Sequence, residues 1–474
     1  MTRREYLHRA TAGFFSLGLF DALSRDGFFS TAQAQAATAS LLAKKQPHFP
    51  AKAKHCVFLF MNGAPSQVDT FDPKPELDKH HGEAYKGPLT VGSNGRPIGY
   101  LMKSPFPFKQ HGQSGLPISN LFPNVAKFAD DLCVIRSMHT DTAAHASGCL
   151  QMNTGHILIG RPALGAWLSY GLGTENESLP SFVVMTDPRG GPIAGPSNWT
   201  AGYMPAAYQG TIFRSAGAPL LDLETPRGVA PATQRGSLDL LKGLNEEHAS
   251  SHPRESELSA RILSYELAYS MQTAAAEAVD LAREPESSRK LFGLDNPLTA
   301  DFGRKCLITR RLLERGVRFV QLYSGGGHIE DTWDGHNDCI RNHTLHAGET
   351  DQPIAALMTD LKRTGLWDQT LLVWGGEFGR TPTSEGVNKP GRDHDWHGFS
   401  MWLAGAGVKG GQAIGATDEL GFAAIEDRVH VSDLHATVLK LMGLDYHKLS
   451  YFYQGLDQKL TGVLERRIIE KALA

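Results

Sequence analysis

Cysteine is scarce in this 474-residue sequence: the five cysteines are odd in number, and none forms a Cys-x-x-Cys pair. This spacing argues against a zinc ribbon or a disulfide framework and favours buried thiols. The formal net charge is only −3, so the chain has neither the basic surface that binds nucleic acid nor a polyanionic tail. Repeats, heptads and low-complexity segments are also missing. These absences leave an ordinary globular composition, 41% hydrophobic, in which twenty histidines are the notable excess.

The first 36 residues have the features of an export signal. Arg3 and Arg4 resemble a twin-arginine motif, residues 10–23 are moderately apolar, and residues 32–36 offer two overlapping Ala-x-Ala cleavage sites. The apolar run is too short and too interrupted to span a membrane, and no later run reaches the roughly 18 residues that a span needs. We therefore predict export of the folded chain by the twin-arginine route, with a soluble mature protein in the periplasm or outside the cell.

Short apolar runs that end in polar turns recur along the chain. They occur at 54–61, 131–137, 317–323 and 371–374, and each is followed by carboxylate, hydroxyl or imidazole side chains. Unbroken apolar runs of this length are typical of buried parallel strands, and the ligand sites of such sheets lie at the carboxyl ends of the strands. The pattern predicts an α/β fold, a three-layer α/β/α sandwich around a mostly parallel sheet.

Several of the intervening segments are predicted to be helical. Periodic apolar positions, with start and stop signals, indicate helices at 143–152, 254–282, 302–316 and 351–364. We expect a single domain over residues 37–474, with a helical insertion at about 240–300.

Side chains of the types that bind metals follow the run at 371–374. Glu377 comes directly after the turn that ends this run, and the same loop goes on to Asp393, His394, Asp395 and His397. Carboxylates and imidazoles at this density suit a divalent cation, because their oxygen and nitrogen atoms replace its hydration water. The alternative interpretation is a polar surface loop.

A second polar group follows the run at 131–137. Because residues 143–152 suit a helix, Thr142 is predicted to be its cap and His145 to lie in its first turns. A helix N-terminus at the end of a strand readily binds an anion. Near pH 7 a neutral imidazole can act as a general base or as a metal ligand, so both roles stay open for His145.

Taken in order, segments from residue 50 to residue 465 resemble one protein family. The matching motifs include FLFMNGAPSQVDTFDPKPEL, QMNTG, RFVQLYSGG, GGEFGRTP, GRDHDWHGF and DLHATVLKLMGL. They resemble the secreted family called domain of unknown function 1501, a sulfatase-like branch of the alkaline phosphatase and sulfatase superfamily. The resemblance implies an alkaline phosphatase-like core and one or two divalent cations, with zinc, calcium and magnesium all open. The ligands that it implies are Asp69, Asp334, His336, Glu377 and His394 or His397.

The chain departs from sulfatases at the position of their nucleophile. Aligning the sulfatase motif on Thr154 and Gly155 places His145 at that position, so the residue that sulfatases mature to formylglycine is missing. The catalytic candidates are therefore His145, as a general base or third ligand, and the hydroxyls of Thr142 and Ser147. Water is the other candidate nucleophile.

Two functions stay open at this point. The first is an exported, metal-dependent hydrolase of sulfate or phosphate esters, acting on a small-molecule or polysaccharide ester. The second is a non-catalytic exported protein that keeps the fold and binds anionic polysaccharide. The density of metal-binding side chains favours the hydrolase, because such groups have little value in a purely structural protein.

Overall fold

The fold is built on a nine-stranded sheet in a computed structural model that describes residues 41–87, 98–215, 217, 220–221, 223–225, 228–251, 256–327, 329–384 and 389–474. In chain order the strands are β1 (His55–Met61), β2 (Cys133–His139), β3 (Phe182–Met185), β4 (Thr211–Ile212), β5 (Phe319–Ser324), β6 (Thr370–Gly375), β7 (Phe399–Gly405), β8 (Gln412–Ile414) and β9 (Val429–His430). The proposed export signal lies outside the described residues.

The strands are mostly parallel. Their order is β8–β2–β7–β6–β1–β5–β3–β4, and β9 also pairs with β2. β1 is parallel to its neighbours β5 and β6, whereas β7 runs antiparallel to β2 and β6. All seven residues of β1 are buried, as expected for an apolar strand covered on both faces. The mostly parallel sheet predicted from the sequence is confirmed.

Helices cover both faces of the sheet. They are α1 (Gln67–Thr70), α2 (Pro75–Lys79), α3 (His145–Thr154), α4 (Leu164–Leu172), α5 (Pro231–Ser251), α6 (Ser256–Val279), α7 (Glu286–Leu291), α8 (Ala300–Glu314), α9 (Cys339–Arg363) and α10 (Val431–Leu441). Side chains alternate along β1, so Phe58 packs in a core shared with α3, α4 and α10, while Leu59 packs in a core shared with α6, α8 and α9. The α/β/α sandwich is therefore confirmed.

Five two-stranded ribbons lie outside the main sheet in the described part of the chain. They pair Tyr100–Leu101 with Thr383–Ser384, Phe108–His111 with Leu116–Ser119, Gly379–Arg380 with His394–Asp395, Ala416–Thr417 with Ala424–Glu426, and Tyr451–Tyr453 with Leu456–Gln458. The third of these ribbons holds together the two ends of the loop that carries His394.

Two helices differ from their predicted bounds. α3 begins at His145, and Ala144 rather than Thr142 is its N-cap residue. The helix predicted at 351–364 is only the second half of α9, which starts where the Asp338 carboxylate accepts a hydrogen bond of 2.9 Å from the backbone N–H of Arg341. Both differences arise at helix starts, where local capping contacts decide the first residue.

Two further expectations concern thiols and membranes. All five cysteines are buried free thiols. None of the described helices combines the length and apolar character that crossing a membrane requires.

α5 and α6 occupy most of the segment predicted as an insertion, and Met271 of α6 packs into the core that contains α8 and α9.

Candidate metal centre

The candidate metal centre lies at the carboxyl ends of neighbouring parallel strands. Met61 of β1 is paired with Ser324 of β5, and Phe60 is paired with Gly375 of β6, so the three strands end side by side. The loops after β5 and β6, together with the start of α3, carry the side chains of the centre. This is the shared edge that the sequence pattern predicts.

Gly63, in the loop after β1, permits the close approach of the surrounding loops. Its φ is +104°, and a Cβ there would lie 2.6 Å from the backbone nitrogen of Trp333 and 2.7 Å from that of Asp334. Its N–H donates a hydrogen bond of 2.9 Å to Glu377 Oε1. A single glycine therefore sets the positions of both acidic loops.

Three imidazole nitrogens surround one carboxylate oxygen. Asp334 Oδ1 lies 3.3 Å from His145 Nε2, 3.2 Å from His336 Nε2 and 3.3 Å from His394 Nε2. The Nε2 atoms of His336 and His394 are 2.9 Å apart. His145, Asp334 and His394 can hold a metal ion, and a second such group joins His336 and His394 to Asp393. The site thus brings together four of the residues singled out from the sequence.

Hydrogen bonds on the far side of two rings orient these nitrogens. His145 Nδ1 lies 2.6 Å from Glu377 Oε1, and His394 Nδ1 lies 2.7 Å from the carbonyl oxygen of Ala143. Since both partners only accept, each Nδ1 carries a proton, and each Nε2 holds a lone pair when its ring is neutral. His145 Nε2 is buried, and its 3.3 Å contact with Asp334 Oδ1 is an ion pair that lacks hydrogen-bond geometry. This is the arrangement in which histidine binds a metal through Nε2.

Glu377 lies behind His145 rather than beside the other ligands. It is fully buried, and its Oε1 accepts from both Gly63 N and His145 Nδ1. Glu377, expected to be a ligand, is instead hydrogen-bonded to the ring of His145, and the Nε2 atom of His145, which the sequence left open as a general base or third ligand, faces Asp334. The sequence left this open because it does not show which ring nitrogen faces the centre.

Arg380 is the fixed counter-charge of the site. This fully buried side chain places Nη2 2.5 Å from Asp334 Oδ1 and donates through Nε to Ala64 O at 3.0 Å. Burial alone would raise the pKa of Asp334, but the charge of Arg380 and the contacts with His145 and His394 outweigh it and hold the pKa well below its usual value. Asp334 is therefore ionised. This role of Arg380 was not predicted, although the residue follows Glu377 in the Glu-Phe-Gly-Arg segment.

Two of the three histidines around Asp334, His145 and His394, differ in protonation. Burial would lower the pKa of His145, but its contacts with Asp334 and Glu377 outweigh burial and raise it to about 9. Burial, reinforced by Arg380 and His145, lowers the pKa of His394 to about 4, although Asp334 opposes this. His145 is thus protonated at neutral pH without a cation, and a bound cation takes the place of that proton.

Asp69, expected among the ligands, lies outside both groups. Its two carboxylate oxygens lie 2.6 Å from Nε and 3.0 Å from Nη2 of Arg392, and both side chains are fully buried. Burial alone would raise the pKa of Asp69, but Arg392 more than offsets it and lowers the pKa. A carboxylate with both oxygens engaged by a guanidinium is not available to a cation, so this expectation is corrected.

His397, the alternative to His394, also lies outside the centre. Its Nδ1 is 3.2 Å from Asp395 Oδ1, and its ring packs against Trp396 with 4.2 Å between ring centroids. His397 lines a separate cavity, which is also lined by Tyr85 and Phe422. Of the two histidines, the structure brings only His394 to Asp334.

The two candidate hydroxyls lie on either side of the start of α3. Thr142 Oγ1 accepts a hydrogen bond of 3.2 Å from the backbone N–H of Ala144, and Ser147 lies in the first turn of the helix. Both side chains are partly exposed. Within the described residues neither hydroxyl is hydrogen-bonded to the imidazole cluster, so their catalytic role stays a prediction.

The chain belongs to the family described as a protein of unknown function, DUF1501, whose model matches residues 53–473. The family predicted from the sequence motifs is thereby confirmed. No curated protein matches the chain significantly.

Several solved structures resemble this one weakly. They include the lipoteichoic acid synthase LtaP from Listeria monocytogenes, with 10% identity, a TM-score of 0.38 and coverage of 91% of this chain and 80% of that chain. A protein in the alkaline phosphatase superfamily from Vibrio parahaemolyticus has 11% identity, a TM-score of 0.35 and coverage of 92% and 74%. The PsFucS1 sulfatase from Pseudoalteromonas sp. has 11% identity, a TM-score of 0.34 and coverage of 87% and 72%. Likenesses at this level carry no argument about activity, which has to come from the site.

Proposed function

We propose that this protein is an exported, metal-dependent hydrolase of sulfate or phosphate esters. The single observation that supports it is the convergence of three imidazole Nε2 atoms on the buried carboxylate of Asp334. In this proposal one divalent cation is held by His145, Asp334, His336 and His394. Export by the twin-arginine route is part of the same proposal and depends on Arg3 and Arg4.

The donor set fits a cation. Ligand atoms at about 2.0–2.1 Å from a tetrahedral zinc ion lie roughly 3.4 Å from one another. The distances from Asp334 Oδ1 to the three Nε2 atoms, 3.2 to 3.3 Å, and the 2.9 Å between the Nε2 atoms of His336 and His394 are close to that value. The buried Nε2 of His145 is poorly aligned for a hydrogen bond to Asp334, and its lone pair would bind the cation directly. Three imidazoles and one carboxylate favour zinc over calcium or magnesium, which prefer oxygen ligands.

A bound cation would polarise the ester oxygen and lower the pKa of a water molecule. The residues of the chain prepare the site for this chemistry. Glu377 fixes the ring of His145, and Phe378 packs against both His145 and His394, with ring centroids 4.9 and 4.8 Å away. The guanidinium of Arg380, which is fully buried and shielded from solvent, keeps Asp334 ionised.

The N-terminus of α3 lies beside His145, and we expect an anionic ester to bind facing it. The first backbone N–H groups of this ten-residue helix have no partner within the helix and point away from it, beside His145. These donors suit the oxygens of a sulfate or phosphate group. Thr142 and Ser147 lie beside the same helix start and are the hydroxyls to test as nucleophiles, with water as the alternative.

The test combines metal analysis with an ester panel. Purified protein of residues 37–474 is loaded with zinc, desalted, and assayed for metal content and for hydrolysis of aryl sulfates and aryl phosphates. We expect about one zinc per chain and hydrolysis of at least one ester class. His394→Ala should lose the metal and the activity, whereas the matched control His397→Ala in the same loop should keep both.

Two results would contradict the proposal. A parent protein that retains no metal would exclude the metal centre. Metal bound as expected, without hydrolysis of any ester, would favour the non-catalytic binding function instead. Export is tested separately: replacing Arg3 and Arg4 by lysine should leave the unprocessed precursor in the cytoplasm, and unchanged export would refute that part.

A further inference from the structure

A polar cavity of about 340 Å³ lies at the same edge of the sheet as the metal centre. Its lining includes three arginines and two histidines, namely Arg428, Arg466, Arg467, His139 and His430. His139 ends β2 and is paired with His430 at the end of β9, so both rings lie at strand carboxyl ends. None of these residues belongs to the metal centre.

The three arginines have no anionic partner within the described residues. Arg428 is exposed, and its guanidinium forms no ion pair. Arg466 Nε donates to the carbonyl oxygen of Thr461 at 3.3 Å, and Arg467 Nη2 donates to the carbonyl oxygen of Arg428. Because these contacts are made to carbonyl oxygens, the three guanidinium groups keep donors that no carboxylate accepts within the described residues.

The two acids of the lining are engaged elsewhere. Asp433 accepts from the backbone N–H groups of His430 at 3.0 Å and Arg467 at 2.9 Å. Glu465 accepts from the Tyr446 hydroxyl at 2.8 Å. With neutral histidines, three arginines and two acids give the lining a formal charge of +1. The donors that remain are those of the arginines.

His139 is the half-buried imidazole of the cavity. Its Nδ1 is buried and makes no hydrogen bond of good geometry in the described part of the chain, although the backbone of Ser137 lies close enough to influence its pKa. The neighbouring ring of His430 is satisfied, since its Nδ1 accepts from Ser432 N at 3.1 Å and its Nε2 lies 3.2 Å from Asp141 Oδ2. A buried polar atom without a partner is costly, and a bound anion or its hydration water would relieve that cost.

The cavity is also close to the metal centre along the chain. Asp141, which contacts His430, precedes His145 by four residues, so their Cα atoms are at most about 14 Å apart. The His430 end of the cavity is thus linked through Asp141 to the start of α3, and an oligomer with several oxyanion groups is the class of molecule that spans such a separation. A chain that carries several such groups is a polyanion.

We propose that this arginine cavity, defined by Arg428, Arg466, Arg467 and His139, binds a second anionic group of a sulfated oligosaccharide. Guanidinium groups recognise sulfate oxygens through paired, charge-assisted hydrogen bonds. Identifying the occupant as substrate rests on the proposed function, whereas the anion site itself does not. The two are therefore tested separately.

The experiment measures binding of a dextran sulfate oligosaccharide by isothermal titration calorimetry, with unsulfated dextran and inorganic sulfate as the other probes. Titrations use the metal-loaded protein and the same protein after chelator treatment. We expect the sulfated oligosaccharide to bind in both states and the unsulfated one in neither. Arg428→Gln with Arg467→Gln should weaken binding by at least about tenfold, whereas Arg289→Gln on exposed α7 should not change it.

Two outcomes would overturn the proposal. Equal affinity for the arginine variant and the Arg289→Gln control would remove the cavity from the binding site. Inorganic sulfate binding as tightly as the oligosaccharide would make this a free-anion site. Should the double variant fold poorly, Arg428→Gln alone serves, because that guanidinium is exposed and makes no contact to lose. Binding that survives chelation supports this site even if the hydrolase proposal fails.

Discussion

Replacing Glu377 by glutamine separates a positioning residue from a metal ligand. Glu377 Oε1 accepts from Gly63 N at 2.9 Å and from His145 Nδ1 at 2.6 Å, so an amide oxygen at the same place keeps both partners. The fold should therefore persist, while the bond to His145 loses its ionic component. Losing an outer-shell partner of this kind weakens metal affinity by about 10- to 100-fold, or roughly 1.4 to 2.8 kcal/mol.

Competition between the protein and a chromophoric zinc chelator measures this affinity. Glu349→Gln is the matched control, because Glu349 Oε2 lies 3.0 Å from His346 Nδ1 in a similar pair outside the metal centre. We expect the control to bind zinc as the parent does. An affinity of Glu377→Gln within twofold of the parent would refute the positioning role. A loss as complete as that of His394→Ala would instead show that Glu377 is a ligand.

The remaining predictions concern stability. Gly63→Ala should lower the melting temperature far more than Gly82→Ala, because both glycines have positive φ but only Gly63 has backbone atoms within 3 Å of the added Cβ. Arg392→Met should cost about 3–5 kcal/mol in urea unfolding, because it leaves Asp69 charged and buried without its partner. Burial lowers the pKa of His435 to about 4. Between that value and the unfolded value of about 6.5, only the unfolded chain takes up the proton, so the urea midpoint should fall as pH drops from 7 to 5.

The core of the fold could be predicted because its signal is local. The apolar runs at 54–61, 317–323 and 371–374 correspond to β1, β5 and β6, three adjacent strands covered on both faces. β7 itself was not predicted from the sequence, and its antiparallel direction could not have been, because apolar residues have the same pattern in buried parallel and antiparallel strands. Strand direction depends on connections that the pattern does not encode.

The first half of α9 shows a second limit of sequence reasoning. Residues 339–350 are rich in polar side chains and contain Gly348, so helical periodicity is weak there. In the structure His343 and His346 of this segment are buried against Trp333. The centroid of the Trp333 ring lies 5.3 Å from that of His343 and 5.5 Å from that of His346. Tertiary packing, rather than intrinsic propensity, makes this segment helical.

The site was predicted in composition more than in arrangement. Asp334, His336 and His394 follow strands whose ends meet, so their proximity follows from the parallel sheet. The pairing of Asp69 with Arg392 joins residues 323 positions apart and could not be read from spacing. The orientation of His145 depends likewise on a hydrogen bond to a distant loop.

Anomalous diffraction at the zinc edge, from crystals of the zinc-loaded protein, tests the central claim most directly. The proposed centre predicts one strong peak within about 2.0–2.2 Å of the Nε2 atoms of His145, His336 and His394 and of an Asp334 carboxylate oxygen. A peak elsewhere, or a centre that stays without zinc while Arg380 alone pairs with Asp334, would contradict it.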